Sequence, residues 1–115
     1  MLTIYPACFF KEENGYSVVF PDLEDGHLAT CGNTLEDAIA MAVECLAGYI
    51  YVSKELNEDI PQATKLSDID IKKIAKDLYE NNEDYSESFV NVISSNYLYT
   101  KILHKMAHLY EKICC

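Results

Sequence analysis

The dipeptide Asn14-Gly15 constrains the fold of this 115-residue chain more than any other feature. Both residue types tolerate positive φ, which two-residue β-hairpin turns require. Segments rich in β-branched and aromatic residues flank the dipeptide, at residues 3–11 and 16–20, so we expect two antiparallel strands joined there. Pro6 lies inside the first of them and lacks a backbone donor, which predicts an unpaired edge or a bulge.

The rest of the chain predicts one more strand, two helices and a final strand. A short third strand is expected at residues 27–31. Thr34 is expected to cap a helix that runs to about Glu55, because apolar residues follow it at helical spacing. A shorter helix is expected after an N-cap at Ser67, and a fourth strand at residues 89–93.

This element order, β-β-β-α-(α)-β, predicts an α+β fold with the helices packed on one face of the sheet. Because the last strand follows a helical crossover, we expect it to run parallel to a neighbouring strand.

The charge of the chain limits its partners. It has 19 acidic residues against 9 lysines and no arginine, for a net charge of −10, and residues 1–60 carry −9 of it. Such a chain repels phosphate, and without arginine it has no guanidinium group to form paired hydrogen bonds with a phosphate. Direct binding of nucleic acid is therefore disfavoured. The acidity is either a solvated face or a surface for a basic protein partner.

No segment predicts a membrane span or a secretory leader. The longest apolar stretch, residues 38–52, is interrupted by Glu44 and is too short to cross a bilayer. The five cysteines are odd in number and show no CxxC spacing, which favours reduced thiols in a cytoplasmic protein. The first three are expected to be small buried apolar residues, and Cys114 and Cys115 exposed thiols.

No arrangement of residues predicts an active site. The predicted strands at residues 3–11 and 89–95 contain no acid that could hold the ions of a two-metal nuclease. His104 and His108 share a helix face, but no further ligand pattern accompanies them. We therefore expect no enzyme, no cofactor and no metal.

Residues 98–115 predict a C-terminal amphipathic helix, separate from a domain at residues 1–97. One apolar stripe of this helix is the candidate dimer contact: Tyr99, Ile102, Met106, Leu109 and Ile113. The stripe packs either on its own domain or against a second copy in a homo-oligomer. Lysines on another face leave a contact with nucleic acid as a third alternative.

Several segments resemble the HicB antitoxin family. They are residues 5–7 (YPA), 15–23 (GYSVVFPDL) and 30–38 (TCGNTLEDA), joined by a linker at 59–61 and a final strand at 88–94. The resemblance covers about residues 1–97. The residues that carry the family motif are Tyr5, Pro6, Gly15, Tyr16, Phe20, Pro21, Asp22, Gly32 and Thr34.

The resemblance implies a partial ribonuclease-H-like fold, with a three-stranded meander, a helix and a parallel strand. It also implies an antitoxin of a two-gene module, which binds a small basic HicA toxin, an mRNA-cleaving ribonuclease, and covers its active site. Many HicB proteins add a C-terminal DNA-binding domain. Only 18 residues follow Tyr97, so we expect no sequence-specific DNA binding by this chain alone.

Charge alone selects the candidate toxin contacts, which are Asp22, Glu24 and Asp25 in one acidic loop. The alternative for these residues is a solvated turn that binds no partner. The alternative for the whole chain is an orphan HicB-like homodimer, regulatory or structural, that has no toxin partner.

Overall fold

The computed structural model describes residues 2–78 and 87–96. In this part of the chain, four strands and two helices follow one another in the predicted order. The elements are β1 (Leu2–Glu12), β2 (Gly15–Phe20), β3 (Leu28–Gly32), α1 (Leu35–Glu55), α2 (Ile71–Leu78) and β4 (Phe89–Asn96). The α+β class predicted from the sequence is confirmed.

The predicted hairpin is present, with Lys11 paired to Tyr16 and Glu12 to Gly15 across the turn. The turn lies one residue earlier than expected, at Glu13-Asn14: Gly15 is the first residue of β2, and Asn14 does not have the expected positive φ. The four strands form one sheet in the order β3-β2-β1-β4. Phe9 pairs with Phe89 on the edge strand β4, and their rings stack with centroids 4.9 Å apart.

The orientation of β4 differs from the prediction, because β4 runs antiparallel to β1. Helix α1 starts beside the end of β3 and carries the chain to the opposite end of the sheet. A strand that began there would be parallel to β1. Instead, β4 begins near the hairpin end, where Phe89 pairs with Phe9, and ends beside Leu2, so its direction is reversed.

The two helices lie on opposite faces of the sheet, so the expectation of helices on one face is also wrong. Helix α1 covers the face formed by Tyr5, Ala7, Phe9, Val18 and Phe20. On the other face, Ala75 of α2 packs in a second cluster with Cys8, Phe10 and Val19. The sequence of β1 already indicates that both of its faces are covered, because residues 4–10 are apolar without alternation, as in a strand buried on both faces.

Of the two expectations for Pro6, the unpaired edge is the one observed. The ladder between β1 and β2 starts at Cys8, so on that side Pro6 has no neighbouring strand. On the other side it pairs with Val92 of β4, whose N–H donates to the side-chain oxygen of Asn91 at 2.8 Å.

Both helices have side-chain caps at their N-termini. Thr34 caps α1 as predicted, since its hydroxyl accepts the N–H of Asp37 at 3.1 Å. Helix α2 begins later than predicted. Asp70 rather than Ser67 accepts the N–H of Lys73, at 3.2 Å, and Ser67 lies in the short 3-10 turn Leu66–Asp68.

Candidate protein-binding site

The acidic loop, residues 21–27, joins β2 to β3 at the end of the sheet opposite the hairpin. Leu23 is fully buried and anchors the loop in the core under α1. Glu24 and Asp25 follow and are exposed. The N–H of Gly26 donates to the Leu23 carbonyl at 2.9 Å, so the exposed tip of the loop is tied to its buried anchor.

The tip of the acidic loop has a left-handed backbone. Glu24 and Asp25 have φ of 52° and 54°, and Gly26 follows with φ of 81°. Left-handed residues other than glycine cost roughly 1–2 kcal/mol each, so the surrounding structure must hold them in place. The result is a pair of adjacent carboxylates displayed on a defined backbone.

Asp22 has a different role from its two neighbours. Its carboxylate accepts the Thr64 N–H at 2.8 Å and the Thr64 hydroxyl at 2.6 Å. Thr64 belongs to the segment that leaves α1, residues 56–65, which we call the strap. The Tyr5 hydroxyl donates to the Pro61 carbonyl in the same strap. Asp22 and Tyr5, both family-motif residues, therefore fix the strap across the end of the sheet.

Carboxylates of the acidic loop add to the effect of burial on the pKa of three neighbouring groups. Burial, reinforced by Tyr49 and Asp22, raises the pKa of the Tyr5 hydroxyl. Burial also raises the pKa of Tyr49; a hydrogen bond with Ser53 opposes this change, and Glu24 and Glu58 add to it. The pKa of the Cys8 thiol rises to about 11, through burial and then through Asp22. The carboxylates at this end of the sheet thus act together on neighbouring groups.

A second recess, of about 750 Å³, lies at the hairpin end and is lined by Glu12, Glu13 and Glu87 among others. Two of its charged groups already have contacts within the chain. The Ser17 hydroxyl donates to Glu12, and the Lys11 ammonium lies 4.9 Å from the centre of the Tyr16 ring. This recess is a weaker candidate than the acidic loop for binding a basic partner.

The motif glycines at the hairpin end serve close backbone approach. A Cβ on Gly32 would lie 2.3 Å from the Ala38 nitrogen in α1, and one on Gly15 would lie 2.2 Å from the Gly32 carbonyl oxygen. Of the other motif residues, Phe20 is fully buried in the core and Thr34 is the helix cap. These motif positions maintain the fold that displays the acidic loop.

The cysteines differ partly from the expectation. Cys8 and Cys45 carry buried thiols, as predicted. Cys31 is half-buried and disulfide-bonded, which contradicts its expected role as a reduced apolar residue. Cys114, Cys115 and the predicted dimer stripe lie outside the described residues.

In residues 2–78 and 87–96, no group of three histidine, cysteine, aspartate or glutamate side chains is arranged to hold a metal ion. The pair His104 and His108 falls outside these ranges. Over the same ranges, neither helix is long and apolar enough to cross a membrane.

Sequence reasoning missed two parts of this end of the sheet. Thr64, which binds Asp22, lies 42 residues away from it and stands in no recognisable motif. The other part is α2, whose Ile74 and Asp77 lie beside the acidic loop. The helical spacing of apolar residues predicted α2 itself, but no local pattern indicates which face of the sheet it covers.

Comparison with known proteins connects this architecture to one family. The model of the HicB-like antitoxins of bacterial toxin-antitoxin systems matches residues 5–106. No curated protein sequence matches the chain.

Solved structures share the fold. A toxin-antitoxin complex from Streptococcus pneumoniae contains a chain that is 23% identical, with a TM-score of 0.73 over 93% of this chain and 90% of that one. A chain of the HicA3 and HicB3 toxin-antitoxin complex is 20% identical, with a TM-score of 0.60 over 82% of this chain and 99% of that one. The Burkholderia pseudomallei antitoxin HicB is 19% identical, with a TM-score of 0.56 over 96% and 89% of the two chains. On the strength of the family match, this chain belongs to the HicB-like antitoxins of bacterial toxin-antitoxin systems.

Proposed function

We propose that this antitoxin neutralises a small basic HicA-like ribonuclease by binding over its RNA-binding surface, with the acidic loop as a principal contact. The observation that carries the placement is the pair of exposed carboxylates, Glu24 and Asp25, on a left-handed loop anchored by the buried Leu23. Asp22 supports the interface indirectly, because its carboxylate holds the strap.

Electrostatics gives this proposal its physical basis. An RNA-cleaving protein needs basic residues to bind phosphates, and those residues attract an antitoxin with a net charge of −10. Opposite charges accelerate association, and a rigid loop loses little conformational entropy on binding. Antitoxin and RNA would then compete for the same lysines and arginines, so occupancy by the antitoxin prevents cleavage without any chemistry by the antitoxin itself.

The test looks for an open reading frame beside this gene that encodes a small basic protein, and uses that protein as the probe; the absence of such a frame would favour an orphan homodimer. The double variant Glu24→Lys/Asp25→Lys should slow association at least tenfold at low salt and flatten its dependence on salt concentration. The matched control is Glu13→Lys/Glu44→Lys, which changes the net charge equally at exposed positions elsewhere. The control should cause a smaller decrease, through long-range charge alone.

Equal effects of the two double variants would show that net charge matters and the loop does not. A larger effect of the control would place the interface elsewhere, with the hairpin end as the next candidate. No binding by the unmodified chain would favour an orphan homodimer instead.

The remaining properties complete the proposal. The antitoxin acts in the cytoplasm, where its toxin would meet mRNA. It assembles as a homo-oligomer through the stripe predicted in residues 98–113, and this chain alone does not bind DNA sequence-specifically. Size-exclusion chromatography with light scattering tests the homo-oligomer. A gel shift of the operon promoter at physiological salt tests the absence of sequence-specific DNA binding.

A further inference from the structure

A cleft of about 310 Å³ lies on the α2 face of the sheet, between the acidic loop and α2. Its apolar lining includes Val19 of β2 and Ile74 of α2. Its polar lining is formed by Asp25 and His27 from the loop and Asp77 from α2. Among the described residues, no lysine or arginine lines the cleft.

We propose that this cleft receives one arginine or lysine side chain of the toxin. The inference rests on the proposed function and deepens it, because it names the group that the antitoxin recognises. The long aliphatic part of such a side chain would pack on Val19 and Ile74, as basic side chains commonly do on apolar surface. Its charged end would lie between the Asp25 and Asp77 carboxylates, where charge-assisted hydrogen bonds form.

The dimensions and charge of the cleft fit this occupant. A volume of about 310 Å³ equals roughly ten water molecules at liquid density, enough for one long side chain and too small for a folded segment. Two carboxylates exclude an acidic group, and their exposure at the rim leaves them hydrated until a cation arrives. Arginine is also one of the residue types enriched at binding hot spots.

The cleft exists only because α2 is docked. One wall comes from the acidic loop and the other from residues about 50 positions later in the chain. The strap connects α1 to the segment that contains α2, and Asp22 fixes it beside the loop through Thr64. Ala75, which is 2% exposed, holds α2 in the second core cluster. The walls are therefore positioned before any partner binds.

The experiment measures the affinity of the neighbouring small basic protein for two single variants on this side of the domain. Asp77→Asn should weaken binding about tenfold, mainly through faster dissociation, because it removes one carboxylate from the cleft. The control, Asp68→Asn, makes the same change at an exposed position outside the cleft and should bind like the unmodified chain. Both substitutions are conservative and exposed, and circular dichroism confirms that each variant is folded.

An alanine scan of the toxin's lysines and arginines identifies the partner of Asp77. In double-mutant cycles, one basic residue should couple to Asp77→Asn by at least fivefold in affinity, and the others should not. If Asp77→Asn binds normally while the Glu24→Lys/Asp25→Lys variant does not, this inference is overturned and the proposed function stands. If the unmodified chain does not bind the toxin, both are overturned.

Discussion

The bond between Asp22 and Thr64 offers the sharpest test of how this domain is assembled. Asp22→Asn removes the charge and one of the two acceptor oxygens that Thr64 uses. Hydrogen bonds to a charged group contribute roughly 1.5–3 kcal/mol when buried. Asp22 is half-buried and Thr64 exposed, so the lower end of this range applies. We expect the free energy of unfolding to fall by about 1–2 kcal/mol.

Urea denaturation followed by far-UV circular dichroism measures this loss. Thr64→Ala removes only the hydroxyl bond and should cost about 1 kcal/mol. Because the two residues bind each other, the double variant should cost less than the sum of the single variants, with a coupling near 1 kcal/mol. Asp25→Asn changes the charge in the same loop without a comparable bond, so its stability should stay within about 0.5 kcal/mol of the unmodified chain.

Additive effects of Asp22→Asn and Thr64→Ala would refute the reasoning, because they would mean that the strap is not held by this bond. A toxin affinity that falls for Asp22→Asn by far more than its stability predicts would instead give Asp22 a direct contact with the toxin.

Three further predictions concern stability and covalent structure. Because Cys8 has a pKa of about 11 in the folded protein and 9.0 in the unfolded chain, the folded state retains a proton that the unfolded chain loses between these values. Stability should therefore fall from about pH 9 to pH 11, by at most about 2.7 kcal/mol for this group, and Cys8→Ala should reduce the slope in pH-dependent urea titrations. Gly32→Ala should cost about 1–3 kcal/mol in thermal or urea unfolding, since the added carbon would meet the backbone of α1 at 2.3 Å; an unchanged melting temperature would contradict that packing. Peptide mapping of the protein without reductant should recover Cys31 in a disulfide and Cys8 and Cys45 as free thiols; a free Cys31 thiol would contradict the expected linkage.

Features set by neighbouring residues could be predicted from the sequence. Asn14-Gly15 located the hairpin to within one residue, because asparagine and glycine favour turns through local backbone preferences, although the turn itself is formed by Glu13 and Asn14. Thr34 marked the first turn of α1 for the same reason, since an N-cap bonds to a backbone group three residues away. The positions of all four strands and both helices followed from such short-range patterns.

Features that depend on distant residues could not be predicted in this way. The direction of β4 depends on the path of more than thirty residues after α1, and the crossover rule assumes that one helix alone makes the connection. Asp22 carried a charge like those of Glu24 and Asp25, so composition placed all three in one interface. Only the fold shows that Thr64 occupies the carboxylate of Asp22 and leaves the other two exposed.

The strap links the docking of α2 to the strength with which the proposed cleft would bind a partner. A partner that binds only when α2 is docked stabilises the docked state, by about 2.7 kcal/mol at a hundred times its dissociation constant. By the same linkage, any event that detaches the strap and undocks α2 removes one wall of the cleft and lowers the affinity for the proposed toxin partner. Most of residues 56–65 are exposed, and the bonds from Asp22 and Tyr5 hold them at two points. A single proteolytic cut in this segment would therefore loosen the connection between the acidic loop and α2, and the proposed cleft would bind its partner less tightly.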